Sequence, residues 1–333
     1  MGSANGHWAH YTPSLNGFSY RFAVRSDDAR LGSYAETLLA GLRGEGPVEH
    51  WYSLTRSAGA SGVSSASAGS GAFLVDVDVD GQPGVLARRV GDALAWVLWH
   101  ANQAAADAGR DHLLFHAGGV CAANGSGEGL GILMPAGSGS GKSTLTAGLV
   151  RAGLSYLSDE LIALELDPES TVTGGRLLPY PKPITVKPGS FDVLRDLEPK
   201  GVGVGVGMGV DDGTSDDEGW VGEEWLLPVG EAVGRPVAAP SVPGVVVVPR
   251  YQAGAKTELT PLSETEAFVA LALNAVNFKQ HGAKGAHALG DLVSRCDCMA
   301  LAMSDLDEAC TLVLDAVADA SVGRAPLGAG RAR

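Results

Sequence analysis

Apolar and polar positions along this chain alternate between a period of two and a period near 3.6. Residues 17–25 read Gly-Phe-Ser-Tyr-Arg-Phe-Ala-Val-Arg and predict a strand. The spacing predicts a helix over 33–43 and a second strand over 47–55. Residues 72–79 and 85–88 read as two strands joined by the turn Asp80-Gly81-Gln82-Pro83-Gly84. A long Ala/Trp/Leu-rich pattern over 90–108 predicts a helix, with Leu94, Trp96, Val97, Leu98 and Trp99 mostly in the core. Residues 112–135 form a hairpin pattern about a turn at 124–129. Beyond it come a helix over 145–152, a short strand over 154–157 and another over 161–166. Prolines keep 180–189 extended. The four valines 245–248 read as a buried strand running into Pro249-Arg250-Tyr251. Ser263-Glu264-Thr265-Glu266 marks the start of a helix over 265–278. A helix over 285–295, a strand over 298–303 and a helix over 305–318 close the pattern.

Three stretches carry no period. Residues 57–71 are rich in Ser, Gly and Ala and read as a loop. Residues 201–219 alternate Gly and Val and then turn acidic, which reads as a flexible insertion, or else as a glycine-weakened strand. The acidic run 211–218 has no ordered ligand spacing and reads as a solvated loop. The tail 322–333 reads as disordered. The element order implies an α/β fold with a mixed sheet. It divides into an N-terminal α+β region over 1–85, a candidate substrate-binding layer, and a larger domain over 86–321.

Composition narrows the function. The 333 residues are 45% hydrophobic and carry a formal net charge of −14. That sign opposes nucleic-acid backbones and argues against a nucleic-acid partner. Four cysteines are too few for a disulfide framework, and Cys296 and Cys298, one residue apart, fit neither a redox pair nor a zinc knuckle. All four are expected to be reduced and mostly buried. No apolar run reaches the roughly 18 residues of a membrane span. Residues 1–7 lack the regions of a signal peptide, and Gly6 stands where a myristoylation motif wants a hydroxyl. The expected location is cytoplasmic.

The chemistry concentrates in Ala136-Gly137-Ser138-Gly139-Ser140-Gly141-Lys142-Ser143-Thr144, a Walker A pattern with Ala in its first position. Small residues let backbone N–H groups cradle phosphates, so Gly137, Ser138, Gly139, Ser140, Gly141, Lys142, Ser143 and Thr144 are the candidate nucleotide-binding set. Lys142 is placed to reach the β/γ-phosphates and Ser143 to ligate Mg²⁺. A strand before the loop and a helix after it put the phosphates at a helix N-terminus. ATP with Mg²⁺ is the expected ligand, and nothing in the sequence separates ATP from GTP. Asp159 follows Lys142 by 17 residues, room for one helix and one short strand. That strand is expected beside the loop strand, delivering Asp159 and Glu160 to the phosphates as metal ligands or as a proton acceptor. The alternative is an acidic pair in a solvated turn. His116 falls near the end of a strand expected beside the loop strand; alone it reads as either a core or a site residue. The small residues around it, Ala117-Gly118-Gly119, point to close packing near a site. Arg250, at a sheet end, fits either a phosphate or acceptor-carboxylate partner or a structural ion pair. Lys182 and Lys187 either border the site or are surface lysines, and Lys279, His281 and Lys284 read as solvated.

His116, a hairpin, Gly-Ser-Gly-Ser-Gly-Lys-Ser and then Leu157-Ser158-Asp159-Glu160 together resemble the catalytic core of the HPr kinase/phosphorylase family. That core is similar in fold to ATP-dependent phosphoenolpyruvate carboxykinase. The resemblance is strong over about residues 112–166, weak to about 318, and absent before residue 90. It implies that Asp159 activates an acceptor serine hydroxyl, that Glu160 stands near the metal, and that His116 is an active-site histidine. Lys142 and Ser143 keep their phosphate and Mg²⁺ roles. The family's Glu-x-Arg-Gly-Leu-Gly signature is missing, which argues against HPr as substrate and against the reverse phosphorylase reaction. The pattern looks more like HPr-kinase-related proteins found with peptide natural-product genes, some of which phosphorylate a serine of a precursor peptide. The implied activity is an ATP-dependent serine kinase acting on a peptide or small protein, in a family whose members often form homo-oligomers. The alternatives are a small-molecule hydroxyl kinase on the same core and a nucleotide-binding regulatory module.

Overall fold

The computed structural model describes residues 8–57, 74–88, 90–123, 129–166, 175–199, 206–207 and 223–323. Residues 58–71 of the Ser/Gly/Ala-rich loop, 124–128 of the hairpin turn, most of the 201–219 insertion with all of its acidic run, and 324–333 of the tail lie outside the described residues. Contacts divide the chain into two units. One is Met1–Ala108 with Lys182–Val229, the other Gly109–Pro181 with Gly230–Arg333.

The first unit opens with β1 (His10–Tyr11), β2 (Leu15–Gly17), β3 (Tyr20–Ser26), α1 (Ala29–Leu38), β4 (His50–Ser57), β5 (Leu74–Val79), β6 (Gln82–Ala87) and α2 (Val90–Ala108). Its sheet runs β1-β3-β4-β5-β6, with β2 also on β3. Only β3 and β4 pair in parallel, and α1 spans the crossover that such a pair needs. The helix α1 starts four residues before the expected 33, because the Asp28 carboxylate accepts the N–H groups of Arg30 (2.9 Å) and Leu31 (3.1 Å). On α2 the buried positions Leu94, Val97, Leu98, Ala101 and Ala105 share one face. Trp99 falls on the other and is 52% exposed, so its core assignment is corrected.

The second unit begins with β7 (His112–Ala122), β8 (Leu130–Pro135), α3 (Lys142–Arg151), β9 (Ser155–Ser158), β10 (Leu161–Glu165) and β11 (Leu177–Leu178). The chain then adds β12 (Ile184–Val186), β13 (Val206–Gly207) and β14 (Glu223–Leu227) to the first unit as a three-stranded sheet in the order β12-β14-β13. Back in the second unit follow β15 (Val242–Tyr251), β16 (Glu258–Pro261), α4 (Glu264–Asn274), α5 (Phe278–Arg295), β17 (Asp297–Met303) and α6 (Leu306–Gly323). The sheet order is β11-β10-β7-β8-β15-β17-β16, with β9 on β7. The β8–β15 and β15–β17 pairs are parallel and the others antiparallel, so the sheet is mixed. The four-valine run belongs to a ten-residue strand, nearly all of it buried up to Pro249, as suits a central parallel strand. No helix among the described residues is long and apolar enough to cross a membrane.

The helix expected over 265–278 is interrupted. Ser263 and Glu266 do form the capping box that opens α4. At its other end Ala275 bridges to Phe115 of β7, and the Val276 N–H donates to the Leu114 carbonyl at 2.9 Å. Asn277 completes the join. Its side-chain oxygen accepts the Leu114 N–H (2.9 Å) and its amide donates to the His112 carbonyl (2.8 Å). His281, expected in solvent, also contacts the His112 carbonyl at 2.9 Å. The four cysteines are free thiols; Cys121 and Cys310 are buried and the other two half-buried. Burial pushes Cys298 and Cys310 up to about 11. An Asn277→Ala change leaves the buried Leu114 N–H without its side-chain acceptor, at an expected cost of about 1–3 kcal/mol. Urea unfolding measures it, and an unchanged midpoint would show that this join bears no load.

Candidate active site

The loop between β8 and α3 is shaped by glycine. All six residues of β8 are buried, and the strand ends at Pro135. Gly139 (φ +79°) and Gly141 (φ +85°) adopt left-handed backbone that a side chain disfavours. Gly141 is also the N-cap of α3 and provides no side-chain cap. Gly141 thus sets no capping side chain of its own over the first-turn N–H groups, which stand at the positive end of the helix dipole. A Cβ on Gly141 would come within 2.3 Å of Met303 Cε and 3.3 Å of Tyr251 Cβ, so the ends of β15 and β17 press on the loop. The Tyr251 N–H donates to the Ser140 carbonyl at 2.9 Å. Gly137, Ser138 and Gly139 are exposed, while Ser140, Ser143 and Thr144 are half-buried. Ser140 Oγ is shielded from water and has no hydrogen-bond partner among the described residues.

Lys142 is almost fully buried. Its ammonium donates to His116 Nε2 at 2.8 Å and to the Ala136 carbonyl at 3.1 Å. His116 and Gly118, two apart on β7, share a face of the strand. A Cβ on Gly118 would meet Thr146 Oγ1 at 2.5 Å and Lys142 Cγ at 2.9 Å, so this face lies directly under α3. His116 sits mid-strand rather than near a strand end, and Ala117 is level with Pro135 on β8. Burial lowers the His116 pKa, and the Lys142 charge lowers it further, against the opposing carboxylates of Glu160 and Asp159. The imidazole is neutral at pH 7, and Nε2 accepts from the lysine.

The two acidic residues occupy the bend between β9 and β10. There Ser158 Oγ accepts the N–H groups of Glu160 and Leu161, both at 3.2 Å, and the Ala117 N–H donates to the Glu160 carbonyl at 3.1 Å. Glu160 Oε1 is 3.5 Å from His116 Nε2. Asp159 is completely buried, and its Oδ1 accepts the Tyr156 hydroxyl at 2.8 Å. The strand that delivers them differs from expectation: β9 pairs with β7, not with the loop strand β8. The hairpin partner β7 occupies the edge of β8 on that side, so the carboxylates reach the site across β7.

One cluster thus joins Lys142, His116 and Glu160 in direct contact, with Asp159 near enough to act on the same imidazole. Arg250 is exposed on β15 beside Tyr251, next to the loop, and makes no side-chain hydrogen bond or ion pair among the described residues. Lys182 and Lys187 belong to the first unit. Lys182 is buried, its ammonium donating to the Pro183 carbonyl and to Thr185 Oγ1, so it is no surface lysine. Among the described residues no group of three or more His, Cys, Asp or Glu side chains is placed to hold a metal ion. Ser143, Asp159 and Glu160 offer hard oxygen donors, which suit Mg²⁺ when phosphates and water complete its shell. The uncapped helix start, the glycine cradle and the unpartnered Ser140 hydroxyl fit a phosphate group.

No protein-family model matches the sequence, and no curated protein matches it. Among solved structures the chain is similar to the HPr(Ser) kinase/phosphatase of Coxiella burnetii, at 11% identity and a TM-score of 0.28. The match covers 62% of this chain and 97% of that one. A likeness of that size transfers no residue's role to this chain.

Sequence reasoning missed Tyr156 and Thr146. Thr146 donates from Oγ1 to the Lys142 carbonyl at 2.9 Å, and its position four residues along the same helix face was the available signal. Nothing local marks Tyr156, whose partner is known only once the bend is built. The His116 shift has a consequence for stability. An unfolded imidazole takes up a proton near about pH 6.5, and the folded one resists it. Stability from this group is therefore full above about pH 6.5 and falls as the pH drops below it. A His116→Gln variant lacks that dependence. The difference between wild-type and variant urea midpoints should shrink from about pH 7 to about pH 5, and a constant difference would overturn the assignment of a neutral, proton-resisting His116.

Proposed function

We propose that the chain is an ATP- and Mg²⁺-dependent kinase that transfers the γ-phosphoryl group to a serine hydroxyl of a peptide or small protein. The observation that carries the reading is the shared surroundings of His116, whose Nε2 meets both the loop lysine and the Glu160 carboxylate, with the Asp159 carboxylate near enough to act on the same imidazole. A phosphate-binding loop alone serves any nucleotide binder. A carboxylate close to the loop, able to take a hydroxyl proton, is what phosphoryl transfer to a hydroxyl requires. The matching order of His116, the loop and Asp159-Glu160 in the HPr kinase/phosphorylase pattern supports the same conclusion.

On this reading the first-turn amides of α3 and the Ser140 hydroxyl hold phosphate oxygens, and Lys142 turns from His116 Nε2 toward the β/γ-phosphates. Ser143, Asp159 and Glu160 hold Mg²⁺, which supplies charge neutralisation at the phosphates. Asp159 takes the proton of the acceptor hydroxyl as its oxygen bonds to the γ-phosphorus. The bond to the bridging oxygen breaks, and ADP leaves with the electron pair. Neutral His116 keeps the lysine inside the site when no phosphate is present. Arg250, at the loop's edge, is available to a phosphate or to an acceptor carboxylate.

Incubation with ATP and Mg²⁺ and a library of serine peptides, read by mass spectrometry, tests the proposal. Phosphoserine is expected from the wild type. Lys142→Ala should lose nucleotide binding. Asp159→Asn should keep it while transfer falls by about 10²–10⁴-fold. ATP binding without transfer to any peptide would overturn the peptide reading and favour a small-molecule acceptor.

A further inference from the structure

We propose that Tyr156 is a positioning residue that holds the Asp159 carboxylate in a single orientation toward the acceptor hydroxyl. The inference rests on the kinase reading above. Tyr156 is completely buried, and its hydroxyl donates to Asp159 Oδ1 at 2.8 Å. One phenol therefore ties the side chain of the residue three positions later. A carboxylate tied at one oxygen cannot rotate freely about its terminal torsion, which is otherwise broad.

The Tyr156 backbone is itself held on both sides. The Tyr156 N–H donates to the Pro236 carbonyl and its carbonyl accepts the Ala238 N–H, both at 2.8 Å. On the other side Tyr156 pairs with Val120 of β7, the strand that carries His116. The Tyr156 backbone is thus anchored between β7 and the segment leading to β15, and Asp159 inherits that register relative to His116. Packing alone does not call for a hydroxyl here. Phenylalanine would fill the same space, and a buried hydroxyl is tolerated only when it is bonded. The bond named here goes to Asp159.

Tyr156→Phe separates positioning from plain stabilisation. Carbon-13 NMR of the nucleotide-free protein should show the Asp159 carboxyl resonance shifted in the variant, with the surrounding strand amides unchanged. That readout needs no activity, so it stands even where the wild type transfers no phosphate. With a peptide acceptor, kcat should fall about 10- to 100-fold while the KM for ATP stays within about twofold. Placed on Asp159→Asn, the same change should cost no further kcat, because Tyr156 acts through the carboxylate. If Tyr156→Phe fails to fold, the wild-type protein still decides the point. A slowly exchanging Tyr156 hydroxyl proton with a nuclear Overhauser contact to Asp159 supports the clamp, and a freely exchanging one overturns it. An unchanged Asp159 carboxyl resonance, a kcat equal to that of the wild type, or full additivity with Asp159→Asn would each overturn the proposal.

Discussion

The close approach of β7 to α3 is the constraint on which the second unit's site depends. Gly118 has no side chain, and any Cβ there would run into Thr146 and Lys142. Only that contact distance lets a buried lysine lie against His116 of the same strand. On the other face of the strand, a Cβ on Gly119 would meet Ile162 Cδ1 at 2.3 Å and the Ile132 carbonyl at 3.1 Å. Two adjacent glycines therefore serve opposite faces, one for the site and one for the core. The strand bears this because it is flanked on both edges, by β8 on one side and by β9 and β10 on the other.

Around that strand the charges are buried in an order that limits their cost. An isolated ion in the interior would shift its pKa and neutralise. Here the lysine keeps hydrogen-bond acceptors, the imidazole gives up its proton, and the buried aspartate takes a phenol hydroxyl. Burial and the neighbouring aspartate push the Tyr156 hydroxyl well above its usual pKa, so it stays a donor. The Asn277 side chain fixes the start of β7 from α4 and α5, which sets the height of His116 against the loop.

What the sequence made legible was local. The phosphate-loop pattern depends on residues in one run, and β8, the loop and α3 fall in that order with glycines at the two left-handed positions. Helix α2 and the capping box of α4 came from periodicity and from three-residue spacing, both short-range signals. What could not be read were pairings between distant segments. The partner of β9, the bridge that stops α4 at Asn274 and the return of 182–229 to the first unit each depend on a strand or unit far along the chain. Short strands such as β11 and β16 have too few residues for a period to show. Tyr156 illustrates the limit at the site: a tyrosine in a strand looks like core, and it is core, yet its hydroxyl is spent on Asp159.

The charge distribution bears on why a divalent cation belongs to the kinase reading. The cluster sets one ammonium, Lys142, against two carboxylates, Asp159 and Glu160, with His116 neutral. Counting Arg250 at the loop's edge brings it only to balance. A bare triphosphate arriving there would meet no surplus of positive charge beyond the partial charges of the α3 amides. On the kinase reading those amides and the lysine would cradle phosphate oxygens, while the carboxylates would repel them at close range. A cation placed between carboxylates and phosphates turns the same two groups from an obstacle into ligands. Phosphate binding near Asp159 and Glu160 and metal binding are thus expected to be coupled through this chain's own charge arrangement, each favouring the other by the same free energy.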